Sequence, residues 1–309
     1  MAGAAASSRG PTGPFELSVG FLIMGGLLAS FLWKENVAGG GSSSGGNDDT
    51  GKSESTKPTI RDAVKVVKED PKIMLVGAIQ SLFEAAMYIF VLNWPPAVSK
   101  IVSSYFSKFA SDPSVSVGTP YGTVFSCFMA CCLLGSTVFG QLTSSTKVDK
   151  NGKSKAVSTE NFAVGMLGLA ALAMGSATLS ISSSTPRILS ALASFPILST
   201  ISSFVSQPGA IFSILMLSLF LFESCVGMYF PAIGTLRSKY FPDSHRSVVM
   251  NLFGIPLNVM VVTVFLSIEK LGVQGALGVS TAALAVATAC GLKLKGLIDR
   301  EKKEAIVTA

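Results

Sequence analysis

The sequence predicts an all-α, polytopic membrane protein with about seven transmembrane helices, and three observations carry that reading. Apolar residues make up 49% of the 309 residues and charged residues only 14%, where a soluble domain carries nearer a quarter. The mean hydropathy is +0.55. Several apolar runs approach or reach the ~20 residues that a helix needs to cross the hydrocarbon core.

Taken in order, residues 1–14 read as a disordered N-terminus. Phe15 to Trp33 is the first span, and Trp33-Lys34-Glu35-Asn36 closes it with an aromatic anchor followed by charge. No small-residue cleavage site ends the run, so a spanning helix is preferred over a signal peptide. Residues 37–72 form a linker. Its first part is rich in Gly and Ser and cannot bury a core; residues 59–72 carry Arg61, Lys65, Lys68 and Lys72 and predict a short amphipathic helix.

Residues 73–293 supply six more spans, with a tail at 294–309. The spans are Ile73 to Asn93, Pro120 to Leu142, Phe162 to Ile181, Ala210 to about Arg237, Ser247 to Ser267 and Val273 to Leu292. Trp94-Pro95-Pro96 is expected to stop the first of these six, because proline cannot continue the hydrogen-bond ladder. Breaks are expected at Gly227 and Pro231, and again at Gly254 and Pro256. The apolar stretch 188–205 is split by Pro196 and crowded with serine.

Basic residues decide whether that stretch crosses. With seven spans, segments 34–72, 143–160, 237–246 and 293–309 share one side and hold 19 of the 24 Lys and Arg. A crossing at 188–205 would erase this bias, so we read none. The positive-inside rule then puts the N-terminus outside and the C-terminus in the cytosol. Seven spans with an outside N-terminus lead us to expect further helices upstream. The basic surplus lies in membrane-flanking loops, so no nucleic-acid partner is implied; the bilayer is the expected surrounding.

Within the spans, polar residues are costly and therefore informative. Glu84 and Glu223 fall near the middle of their spans, and Gln80 lies one turn before Glu84 on the same face. Each serves either as interhelical glue or as a cavity or proton-relay group. Asn251 and Asn258, seven residues apart, share a face and flank Gly254 and Pro256; interrupted helices of this kind line substrate paths in secondary transporters. Arg237 and Arg246 stand at cytosolic ends and are candidates for topological anchors or a cytosolic gate.

The five cysteines all lie in apolar runs, and His245 is the only histidine. Neither a disulfide framework nor a metal site is expected, and no cofactor. With no nucleophile–base arrangement and no phosphate-binding glycine loop, an enzyme is not expected.

Three stretches carry a family resemblance. They are Gly77 through Gln80, Phe83, Glu84, Phe90 and Asn93 to Trp94-Pro95-Pro96; Phe222-Glu223 through Gly227, Pro231, Arg237 and Lys239 to Pro242; and Arg246 through Asn251, Gly254 and Pro256 to Asn258. Together they resemble the molybdate-anion transporter family of the major facilitator superfamily, over residues from about 60 to 295. Trp33-Lys34-Glu35-Asn36 resembles the end of that family's sixth helix. The resemblance implies a partial major-facilitator fold, family helices six to twelve, with 37–72 as the central cytosolic loop. It places Gln80, Glu84, Asn93, Glu223, Asn251 and Asn258 as substrate-binding or proton-coupling candidates. It also implies alternating-access transport of an oxyanion, molybdate first, at the plasma membrane. Gly140 retains only part of the superfamily's Gly-x-x-x-Asp-Arg loop signature. Two other readings follow: a carrier for another small solute, a sugar or organic anion, and a non-transporting chain that associates with a missing N-terminal half or a full-length transporter.

Overall fold

The computed structural model describes residues 5, 8–10, 12–33, 60–106, 119–144, 157–182 and 209–307. Stretch 188–205 and the first part of the 37–72 linker lie outside these. The chain divides into two units, Met1–Lys57 and Pro58–Ala309.

The first unit contains one long helix, α1 (Gly13–Leu32), with a proline in its first turn where a missing N–H costs nothing. It starts two residues earlier than Phe15. Its 20 residues span about 30 Å. Leu22, Ile23, Phe31 and Leu32 are all exposed, so α1 is apolar all round rather than on one stripe, as a lipid-embedded helix is. Arg9 donates to Glu16 at 2.9 Å ahead of this apolar run.

The second unit begins with α2 (Ile60–Glu69), which buries Ala63 and Val67 and exposes its charges, the amphipathic helix expected. Six long helices follow: α3 (Pro71–Phe106), α4 (Tyr121–Thr143), α5 (Thr159–Ile181), α6 (Ala210–Tyr240), α7 (Arg246–Leu266) and α8 (Ile268–Val307). Among the described residues seven helices, α1 included, are long and apolar enough to cross a membrane.

Helices α3, α8, α5 and α6 close a four-membered ring, each packing on the next and α6 returning to α3. Helix α4 lies against α6, and α7 against α3. The α4–α6 contact is backbone to backbone. A Cβ on Gly135 would run into the carbonyl of Ser224, and one on Gly227 into the carbonyl of Cys132. Glycine is needed at both positions for that approach.

Three sequence expectations change here. Helix α3 does not stop at Trp94-Pro95-Pro96 but runs on to Phe106. Helix α6 is unbroken through Gly227 and Pro231, and α7 through Gly254 and Pro256. The reason is common to all three: proline removes one ladder bond, and a helix held by its neighbours can lose one or two without ending. The break that does form is at Gly272, whose φ of 63° interrupts α8 one turn after its start.

Candidate functional site

The site grows from three residues on the α3–α6 seam. Glu84 sits more than three turns into α3. Across from it, Tyr229 donates its hydroxyl to Glu84 Oε1 at 2.9 Å. Arg237, near the C-terminal end of α6, donates from Nη2 to the same oxygen at 2.9 Å. Arg237 therefore turns inward to a partner 153 residues away in sequence. The Glu84 and Arg237 side chains are 20% and 17% exposed, so water still reaches the pair.

Packing fixes this arrangement from below. The Phe83 ring stacks on Tyr229 with centroids 4.0 Å apart and planes 12° apart. An aromatic column continues along the seam: Phe222 meets Phe83 at 6.1 Å and Phe90 at 4.9 Å, and Phe128 meets Phe90 and Trp94. Apart from Trp94 these rings are fully buried. Through Phe83 they pack against the phenol of Tyr229, whose hydroxyl meets Glu84.

Two features leave the cluster incompletely satisfied. Arg237 uses Nη2 on the carboxylate, while its Nε is buried without a hydrogen-bond partner among the described residues. Gln80, one turn before Glu84, is 5% exposed, and its Oε1 also has no partner there. A buried polar atom without a partner costs about 1–3 kcal/mol.

The other sequence candidates fall elsewhere. Glu223 is buried on α6 with no hydrogen bond or ion pair among the described residues, within electrostatic range of Cys131 and Cys132 on α4. Asn93 is buried and donates to the carbonyl of Ile89 at 2.7 Å. It borders an apolar cavity of about 280 Å³ between α3, α7 and the start of α8. Asn251 and Asn258 are exposed on α7; Asn258 donates to the carbonyl of Gly254 in its own helix at 2.8 Å. Arg246 pairs with Asp243 of the α6–α7 turn at 2.5 Å and donates to the carbonyl of Ser238 in the last turn of α6. Thus Glu84 and Arg237 meet on the α3–α6 seam with Gln80 one turn away on α3, and the asparagines of α7 are not part of that cluster.

Sequence reasoning missed Tyr229, although it stands inside the stretch Gly227-Met228-Tyr229-Phe230-Pro231. It also missed Glu160, which opens α5 and accepts from Lys239 and, at 2.8 Å, from Tyr240. With the Lys72–Glu301 pair at 2.8 Å, this ties α5 to α6 and α3 to α8 at one end of the bundle. Both pairs join residues far apart in sequence, so local spacing held no signal for them.

Arg237 is thus paired with Glu84 inside a bundle of helices long and apolar enough to cross a membrane. A family model described as sugar transporters with 12 transmembrane segments matches residues 4–184. The chain is 29% identical over 199 residues to a molybdate-anion transporter of Takifugu rubripes, covering 64% of this chain and 32% of that protein. It is 27% identical over 251 residues to one of Xenopus tropicalis, covering 81% and 42%. To one of Danio rerio it is 31% identical over 199 residues, covering 64% and 31%. The chain therefore spans about a third to two fifths of the length of the curated relatives it matches. No solved structure matches it. The chain belongs to the major facilitator superfamily, to the twelve-segment family described as sugar transporters, and stands there with the molybdate-anion transporters.

Proposed function

We propose that the chain takes part in transport of an oxyanion, molybdate, across a membrane by alternating access. The observation that carries this is the inward-turned Arg237, a cation held on the α3–α6 seam by Glu84 and Tyr229. An ionised side chain within a spanning bundle is expensive and marks a solute or ion path. The relatives named molybdate-anion transporters supply the solute.

Proton coupling through Glu223 or Glu84 is part of the proposal. A dianion moving against the membrane potential costs about 2.3 kcal/mol per charge per 100 mV, which co-transported protons offset. Glu223, buried without a partner among the described residues, is the better placed of the two to exchange a proton; Glu84 is engaged by a guanidinium. The distribution of basic residues favours a cytosolic C-terminus, with residues 73–293 as a six-helix transporter half. The family resemblance favours the plasma membrane.

The test is uptake of labelled molybdate into proteoliposomes bearing the chain, at two external pH values, with sulfate and with a sugar as competitors. Saturable uptake that sulfate suppresses supports the proposal. Uptake and pH dependence that survive both Glu84→Gln and Glu223→Gln remove the proton coupling. The family's description as sugar transporters favours a second reading, a sugar carrier; competition by the sugar and not by sulfate would establish it. Association with a full-length transporter predicts co-purification without uptake.

A further inference from the structure

Arg237 makes half use of its guanidinium. Its fork presents parallel N–H groups that suit two oxygens of one anion. Glu84 occupies only Nη2 and offers a single oxygen, Oε1, which it shares with Tyr229. Arg237 Nε is left buried and without a partner among the described residues. Gln80, one turn before Glu84 on α3, is buried with its side-chain oxygen equally unsatisfied. Its amide carries donors as well as an acceptor, and which end faces the cluster is an assignment the amide can reverse. A single carboxylate oxygen thus takes the Nη2 of Arg237 and the hydroxyl of Tyr229, Nε of the same guanidinium stays idle, and the unsatisfied Gln80 lies one helical turn away on α3.

We infer that Glu84 is a tethered stand-in for the solute: a tetrahedral oxyanion binds the Arg237 fork through two of its oxygens and displaces the Glu84 carboxylate from it. This rests on the oxyanion reading proposed above and adds the site and its resting occupant. A dianion gives both Nη2 and Nε an oxygen, takes the Tyr229 hydroxyl, and leaves oxygens for the Gln80 amide. The Glu84 carboxylate cannot remain beside it, because like charges at that separation repel. In the empty carrier the same carboxylate keeps Arg237 from standing as an unpaired charge, so it sets a threshold that a ligand must exceed. A weak monoanion with one oxygen to offer gains nothing over Glu84; a tetrahedral dianion does. The tether therefore selects for charge and for bidentate geometry.

The experiment is equilibrium binding of labelled molybdate, then of sulfate and phosphate, to the purified full chain in lipid nanodiscs. Glu84→Gln removes the competing charge and keeps an acceptor for Tyr229. It is expected to tighten molybdate binding at least about tenfold, whereas Arg237→Lys, which lacks the fork, is expected to weaken it by a similar factor. The double variant Glu84→Gln with Arg237→Gln leaves no uncompensated charge, so it guards against misfolding, and it is expected to show no binding. Equal or weaker binding by Glu84→Gln, with the wild-type chain binding molybdate, overturns the displacement and leaves the oxyanion reading standing. No binding of any oxyanion to the wild-type chain or to Glu84→Gln overturns both. Preference among the three oxyanions identifies which one the fork accepts.

Discussion

Along the α3–α6 seam, a carboxylate, a phenol and a guanidinium meet between two spanning helices, backed by a column of stacked rings. Along the α5–α8 seam no such cluster of charged groups occurs among the described residues. A Cβ built on Gly175 would rest on the methyl of Thr281, one on Gly278 on that of Thr178, and one on Gly168 on that of Thr288. Thr178 and Thr281 hydroxyls lie 3.2 Å apart. Small residues let those two helices approach closely, and close approach gives the van der Waals contact that holds helices together where no hydrophobic force distinguishes protein from lipid. The α5–α8 seam is thus what a stable membrane bundle needs and no more. The α3–α6 seam carries groups that cost energy to insert. The contrast sets a polar, costly contact between α3 and α6 against a purely packing contact between α5 and α8.

Four variants would break or sharpen this contrast, each read by reversible unfolding in mixed micelles. The largest effect is expected from Arg237→Gln, which strands the Glu84 carboxylate. Loss of one partner from a fully buried pair costs about 3–5 kcal/mol; with a fifth of each side chain exposed, about 2–3 kcal/mol is expected. Adding Glu84→Gln should restore most of it. If the double variant is as unstable as the single, the cost comes from lost packing and not from an unpaired charge.

Gly291→Leu comes next. A Cβ there already approaches Val164 and Leu167 of α5 at 3.2 and 3.4 Å, so the longer side chain overpacks the small-residue seam by about 1–3 kcal/mol. Binding of molybdate by the folded fraction should be unchanged; a loss would show that the scaffold seam also shapes the site. Thr281→Val keeps the shape and deletes the hydroxyl facing Thr178, for about 0.6 kcal/mol. The smallest effect is expected from Lys72→Met. Its pair with Glu301 is largely open to water, Glu301 being more than half exposed, and exposed pairs contribute no more than about 1 kcal/mol.

The helical spans were legible from hydropathy because the bilayer imposes a length and composition on each one independently. Helix ends were less so. Pro95 and Pro96 read as a stop because proline is a stop in water, whereas in a bundle the neighbouring helices α7 and α8 keep α3 going past it. The site was half legible. Glu84 and Gln80 stood out because a polar residue in an apolar run is conspicuous. Arg237 stood out only as an end-of-helix anchor or a cytosolic gate, not as the partner of Glu84, and Tyr229 has the look of one more aromatic in a span. What joins them is the register of α3 against α6, which is set by Phe83 stacking on Tyr229 and belongs to neither sequence segment alone. Gly135 likewise reads as an ordinary small residue until Ser224 is found against it.

Helix α8 is 40 residues long, and with its break at Gly272 it still extends about 50 Å beyond that point, against about 30 Å of hydrocarbon. Its last turns, from Arg300 through Glu304, are charged and exposed, so they suit water beyond the hydrocarbon as a polar continuation of the scaffold helix. A spectroscopic probe fixed on Lys303 would therefore report the scaffold's own frame of reference. Measured against a second probe on α2, it converts any rocking of the bundle into a change of distance, with no label near Arg237.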